Sequence, residues 1–400
     1  MYGRVPGVGH LAAILLAVGA VAPSPATAQV APGTGARGAD ESGRLVIVGG
    51  ALDDDNEAVW DAVVAGRDGE GPLCVLPTAG ARPEQSMASA VSRFAEEVGE
   101  AGVEGVLVTE DRPEAADDPA VVDRIGRCSG FWFTGGDQSR IVDVFLPEGR
   151  PTAAYRTLQR RHAEGAVVAG SSAGAAMMPG RMIAGGGSEA ALAHGVRGEE
   201  EGEGVWVRRG MEFHAGPIID QHFLARGRVG RLVVATLAGE GGGIGLGIDE
   251  NTALVVDGGQ ARVVGRSGVL LVDARRADRE GAVHGGKGVV LWLLGPGDVL
   301  DLATLEHREA PGRAALAADG GSVQAPDDPF ARWAFLELLA GLAASSDDRV
   351  EVPADGYRLT LRKGPAFRAV AAGEGTLEDA PDVPGGLSAG PFLLDVEPAG

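Results

Sequence analysis

The sequence predicts an α/β protein, a mainly parallel sheet flanked by helices, with a C-terminal appendage. Three observations predict it. Short apolar runs rich in Val, Ile and Leu recur through the first half of the chain, as strands buried on both faces do. The stretches between them carry apolar residues at helical spacing, so strand and helix alternate, the pattern that covers a parallel sheet on both sides. Sixty-five glycines with only 4% aromatic residues describe a many-turned chain whose core is built from Ala, Val and Leu. At 400 residues, 44% hydrophobic and 23% charged, the chain can bury a sizeable core in one large domain plus an appendage. The formal charge of −21 argues against a nucleic-acid partner, which would require a basic face.

Residues 1–28 read as a signal peptide: Arg4, an apolar run from Leu11 to Ala22, and an Ala26-Thr27-Ala28 cleavage site. The apolar run is too short to span a bilayer, and no cysteine at the cleavage point takes a lipid. The expectation is therefore an exported protein, periplasmic or extracellular, without a membrane partner. Residues 29–43 are small, polar and unpatterned, a flexible leader.

Arg44 to Ala51 forms the first strand, and a helix follows through Arg67; Asp53, Asp54 and Asp55 are expected to satisfy free N–H groups at its start rather than to bind a metal. Leu73–Leu76 is the next strand, and Met87, Val91, Phe94 and Val98 mark a helix. Val103 to Thr109 and Gly130 to Phe133 repeat the strand pattern, with Val122 and Ile125 on a helix between them. Cys74 and Cys128 have strand-like neighbours and are expected as two buried free thiols, since inner strands seldom offer the Cα spacing a bridge needs. Residues 179–209, glycine-rich and acidic, read as long surface excursions. Beyond them, Arg228 to Ala238 is helical, and Ile244 to Val256 and Ala261 to Asp273 look like paired strands. Residues 310–400 differ in character, with an apolar helix from Phe330 to Ala344 and short strands after it.

The chemistry centres on Ala166 to Met178. An apolar strand runs into Gly170-Ser171-Ser172-Ala173-Gly174 and then into an alanine-rich helix, a G-x-S-x-G elbow that exposes a serine hydroxyl on a sharp turn. Ser172 is the predicted nucleophile. Gly135-Gly136-Asp137-Gln138 also follows a strand and should lie on the same sheet edge, where ligands of such folds bind. A serine needs a base and the base an orienting acid. His222 has the most suggestive surroundings, Asp220 and Gln221 before it and Arg226, Arg228 and Arg231 after it, whereas His214 reads as structural. On residue pattern alone, Asp249 and Glu250 both remain open as the acid.

Four ordered motifs, GGDQ at 135–138, GSSAGA at 170–175, DQHF at 220–223 with R-x-R-x-x-R, and GIDENTAL at 247–254, resemble the signature set of the cyanophycinase family. The resemblance covers about Arg44 to Leu293 and implies a class I glutamine-amidotransferase-like fold shared with dipeptidase E. It implies Ser172 as nucleophile, His222 as general base and then acid, and Glu250 as the carboxylate that orients the imidazole. The oxyanion hole would use the N–H of Ala173 and one at Gly136 or its neighbour. Gln138, Asp220, Gln221, Arg226, Arg228 and Arg231 would form the substrate pocket, with no metal and no organic cofactor. The implied substrate is cyanophycin, a polyaspartate chain carrying arginine on its side-chain carboxyls, or another β-aspartyl peptide. The alternatives are a related Asp-specific dipeptidase and a non-catalytic binding protein that retains the pocket; a homodimer is allowed. Ser171 stands where the family usually shows threonine, and residues 310–400 have no counterpart in the compact intracellular enzyme. The domain reading is therefore 44–309 for the peptidase domain and 310–400 for the appendage.

Overall fold

The structure, a computed structural model, describes residues 43–198, 202–280, 283–318, 320–373 and 375–399. The signal peptide expected over 1–28, and the leader up to residue 42, lie outside the described residues. The chain alternates as its apolar pattern demands: β1 (Leu45–Val48), α1 (Glu57–Val64), β2 (Leu73–Leu76), α2 (Pro83–Val98), β3 (Val103–Gly105), α3 (Pro119–Arg127), β4 (Gly130–Phe133), α4 (Gln138–Phe145), α5 (Ala153–Ala163) and β5 (Val167–Ser171). These five strands lie parallel in the order β3-β2-β4-β5-β1. Successive side chains point to opposite faces. Val46, Val48, Val75 and Trp132 pack with Trp60 and Phe94 on one side, and Leu45, Ile47, Leu76 and Phe133 pack with Ile141 and Leu158 on the other. Both faces are buried, which is why the strands read as uninterrupted apolar runs.

Helix α6 (Ala173–Ala176) is a single short turn. Next come β6 (Arg181–Gly185), α7 (Ser188–His194), β7 (Val196–Arg197) and β8 (Val205–Arg209), with β6, β8 and β7 forming a small sheet. Met182, Ile183, Val205 and Val207 of this sheet and Leu192 of α7 are buried. The region read as surface excursion is thus largely built into the core; its glycines mark turns between short strands.

The chain continues through β9 (Ile218–Asp220), α8 (Val229–Leu237), β10 (Ile244–Ile248), β11 (Thr252–Asp257), β12 (Gln260–Gly265), β13 (Val269–Asp273), β14 (Gly286–Leu294) and β15 (Val299–Asp301). The two long strands expected at 244–256 and 261–273 do pair antiparallel, but each breaks in the middle. Strands β11 and β12 extend the first sheet beside β1, whereas β10 and β13 belong to a second sheet. The ribbon crosses between sheets at Asp249–Asn251 and Arg266–Gly268, where Asn251 (φ 53°) and Gly265 (φ 113°) adopt left-handed conformations.

The remaining elements are β16 (His307–Arg308), β17 (Ala314–Ala315), α9 (Ala334–Ala344), β18 (Arg349–Ala354), β19 (Tyr357–Ala371) and β20 (Ser388–Pro398). Among the described residues the first sheet has nine strands, β16-β15-β12-β11-β1-β5-β4-β2-β3. The second has eight, β17-β19-β20-β14-β13-β10-β9 with β18 on β19. The fold is α/β, with a mixed central sheet whose five adjacent parallel strands carry the helices. The described residues beyond 310 pack onto it: β20 pairs with β14, and Leu339, Phe392 and Leu394 share one core with Leu232, Leu270 and Leu291.

Two local expectations are corrected. Cys74 and Cys128 form a disulfide, with Cα atoms 5.8 Å apart. Cys128 lies in the turn before β4 rather than within a strand, and β4 is the neighbour of β2, which carries Cys74. Its side chain is therefore free to reach across. The aspartates at 53–55 do not cap α1, whose N-cap is Asn56 without a side-chain bond. Instead Asp53 and Asp55 accept from Arg266 at 2.8 and 2.6 Å, and Asp53 also bonds Asn251, which ties the crossing ribbon to the loop after β1. No helix among the described residues is long and apolar enough to cross a membrane.

Candidate active site

The elbow forms because β5 ends under strict steric limits. Ser172 follows the last strand residue with φ 57° and ψ −110°, a conformation costing on the order of 1–3 kcal/mol that surrounding contacts must hold. Its N–H donates to the Val48 carbonyl at 3.0 Å, and its own carbonyl accepts from Ala175 and Ala176, both at 2.9 Å, which starts α6. A Cβ at Gly170 would lie 2.5 Å from the Gly174 carbonyl oxygen, and one at Gly174 would lie 2.3 Å from that of Phe133. Both glycines are therefore required for the turn to close. The strand thus delivers the serine to the carboxyl edge of the parallel strands, as the sequence predicts.

His222 follows β9 with φ 45°, and its N–H donates to Gly49 at 2.7 Å. The adjoining Gly50 is what lets the imidazole in, since a Cβ there would lie 2.2 Å from the ring. Glu250 sits on the corner where the ribbon changes sheets; its N–H donates to Asp249 Oδ1 at 2.9 Å. Asp249 is fully enclosed and also accepts from Ala225 N and Ser267 Oγ, both at 3.0 Å. It holds the backbone of both loops and does not face the histidine's acid position. Burial pushes its carboxyl up to about 7.

Three strand ends thus converge. His222 Nδ1 donates to Glu250 Oε1 at 2.6 Å, and Nε2 lies 2.9 Å from Ser172 Oγ. A carboxylate at Nδ1 holds the proton there and leaves Nε2 as the acceptor for the serine hydroxyl. Burial lowers the His222 pKa below its usual 6.5; the bond to Glu250 opposes this, and Arg226 and Arg228 add to it. The imidazole is therefore neutral, and able to act as a base, at neutral pH.

The loop at Gly135–Gly136 abuts the elbow: a Cβ on Gly135 would lie 3.4 Å from Ser172 Cβ and 3.9 Å from its Oγ. Gly136 (φ 145°) passes so close to Ala79 that a Cβ would lie 2.0 Å from its carbonyl oxygen. Ala173 opens α6, so its amide has no intrahelical carbonyl to meet.

The expected substrate residues divide into two groups. Gln221 Oε1 lies 3.4 Å from Ser172 Oγ, Arg226 is 52% exposed with Nε 3.6 Å from Glu250 Oε1, and Arg228 donates to the Gln221 carbonyl at 2.7 Å. Gln221 thus stands beside the nucleophile, Arg226 beside the triad carboxylate and Arg228 behind Gln221. Asp220 and Arg231 are buried, their side chains 1% and 5% exposed, and are paired with each other through the Nε–Nη2 edge of the guanidinium. Arg231 also donates to Gly186. Asp220 and Arg231 were both expected as substrate contacts; here they pair with each other, and Asp220 Oδ1 also accepts from the Gln221 N–H at 2.8 Å. Gln138 likewise spends its amide on the Ile183 and Ala184 carbonyls of β6, at 2.8 and 3.1 Å. His214 is buried, and burial alone takes it down to about 4.

Sequence reasoning missed two contributors. Gly50 was legible only as a strand end, although the Val48-Gly49-Gly50 run is the signal. Arg332 had none: it approaches Glu250 Oε2 at 3.6 Å from the C-terminal stretch. A cavity of about 370 Å³ opens beside Glu250, between Ala51, Asn251 and Arg266 on one side and Arg332, Trp333 and Glu378 on the other.

The model of peptidase family S51 matches residues 45–264, more than half of the chain and inclusive of Ser172, His222 and Glu250. The chain belongs to peptidase family S51. This S51 member is a serine peptidase and hence a hydrolase. It is similar to a cyanophycinase of Nostoc sp., 32% identical over 247 residues that span 60% of this chain and 77% of the relative. It is also similar to a cyanophycinase of Synechococcus elongatus, 31% identical over 212 residues that span 52% of this chain and 61% of that one. The crystal structure of a peptidase from an acI-B1 Actinobacterium superposes with a TM-score of 0.43 at 21% identity, covering 57% of this chain and 90% of that one. The S51 match ends within β12, so Arg332 and the strands after β13 lie beyond it.

Proposed function

We propose that this S51 peptidase is an exported serine exopeptidase that hydrolyses cyanophycin to β-Asp-Arg dipeptides through an acyl-enzyme. The observation that carries the reading is the continuous Ser172–His222–Glu250 hydrogen-bond chain, at 2.9 and 2.6 Å, inside the region that the S51 family model matches, in a chain similar to cyanophycinases. Ser172 Oγ attacks the scissile carbonyl while His222 Nε2 takes its proton, and Glu250 stabilises the imidazolium that forms. The oxyanion receives hydrogen bonds from the amides of Ala173 and Gly136, each such donor contributing about 2.7–4 kcal/mol to lowering the barrier. Collapse expels the amine, which takes the proton from His222, and a water then repeats the sequence on the ester. Arg226 and Arg228 supply bidentate donors for the substrate's carboxylates.

Export is supported by the signal-peptide pattern of residues 1–28 and by the Cys74–Cys128 disulfide, which persists best in an oxidising compartment. The test of function is incubation of purified protein and its S172A variant with insoluble cyanophycin, followed by mass analysis of the soluble products. Wild type should clear the suspension and release β-Asp-Arg, with S172A slower by at least ~10⁴-fold. Equal clearing by the two proteins refutes the reading, as does a different product.

A further inference from the structure

Glu250 and its neighbour Asp249 are held very differently. Asp249 accepts three hydrogen bonds, from Ala225, Glu250 and Ser267. The carboxylate of Glu250 accepts from His222 on Oε1, and Oε2 faces the cavity, where Arg332 Nη2 stands 3.6 Å away. Arg332 is brought there by a docked segment. Trp333 N–H donates to the Leu224 carbonyl at 3.2 Å. Gly227 (φ 58°) approaches Phe330 so closely that a Cβ would lie 1.8 Å from the Phe330 carbonyl oxygen. The segment therefore sits on the same turn that carries His222, and the Arg332 guanidinium lies 5.3 Å from the Trp333 ring.

We propose that Arg332 is a positioning residue for the peptidase reaction: it fixes and charge-balances the free oxygen of Glu250, so that the C-terminal stretch completes the site. This rests on Glu250 acting as the acid of the triad. The other charged groups around that carboxylate are His222, Arg226, Arg228 and Asp249 in the site and Asp53, Arg266, Glu378 and Asp379 around the cavity, with Asp379 Oδ2 3.9 Å from Arg332 Nη2. Arg332 is 57% exposed, so its replacement removes little packing. Its effect should be electrostatic and geometric. A cation beside Glu250 disfavours a proton on His222; without it the imidazolium is stabilised, and the pH at which the base switches on rises.

The experiment measures the rate at which a small fluorophosphonate labels Ser172, as a function of pH, in wild type, R332Q and R332K. In this reaction Ser172 Oγ displaces fluoride from phosphorus and His222 takes the hydroxyl proton, so no polymer substrate is involved. Wild type should show an acid limb set by His222. R332Q should shift that limb upward by roughly half a pH unit and label more slowly at neutral pH, while R332K restores the wild-type limb. Asp249 is common to all three proteins, so the difference between the glutamine and lysine variants isolates the charge. An unchanged limb in R332Q, or a uniform slowing at every pH that R332K fails to restore, overturns the proposal. A wild-type protein that takes no label removes the serine-nucleophile reading itself, and the Arg332 proposal with it.

Discussion

The five parallel strands end in the loops that present Ser172, Gly136 and, by way of β1, the glycine that admits His222, whereas the antiparallel strands after β13 carry no member of the triad. Yet the second region closes the site, because the segment before α9 docks on the His222 turn and brings Arg332 to Glu250. Between the two regions stands the corner at Asp249–Asn251, where one ribbon serves both sheets. A motif-bearing half and a motif-free half thus meet at one active site: the first supplies the triad, and the second brings a cation to within 3.6 Å of its carboxylate.

The most drastic way to break this comparison is to cut the chain after Glu309. Strand β14 would lose β20, and the core around Leu232 and Leu291 would lose Leu339 and Phe392. Each large apolar side chain lost from that core removes roughly 1.5–3 kcal/mol, and domains of ordinary stability hold only ~5–15 kcal/mol in all. The truncated protein should be insoluble or unfolded by circular dichroism. A soluble, cooperatively folding fragment would contradict this and show that residues 44–309 fold on their own.

A smaller effect sharpens the roles at the corner. E250Q should lower turnover by about 10³–10⁴-fold, because an amide at this position no longer selects the imidazole tautomer that accepts the serine proton. D249N keeps an oxygen for the Ala225 and Glu250 amides and should cost less than about tenfold in turnover. Steady-state rates of the two variants decide it, and the reverse order would transfer the role of acid to Asp249.

How much of this was legible depended on whether the signal was local. The elbow was, since strand, glycine and serine spacing encode a turn within a few residues of Ser172. The choice of His222 needed the surrounding Asp, Gln and Arg residues, and Glu250 could be separated from Asp249 only through resemblance, because the ribbon bends between sheets at a point where simple alternation fails. The burial of the Asp220–Arg231 pair was hidden for a different reason. A charged residue reads the same whether it faces a ligand or another side chain, and only packing shows that Arg231 pairs with the Asp220 carboxylate. The disulfide and the Arg332 contact join residues 54 and 82 positions apart, and no short pattern encodes such approaches.

Activation of Ser172 by His222 is read out by mapping a fluorophosphonate label on the intact protein by mass spectrometry. One label per chain is expected on Ser172, retained in S171A and lost in S172A and H222A. A label on Ser171, or undiminished labelling of Ser172 in H222A, would contradict it.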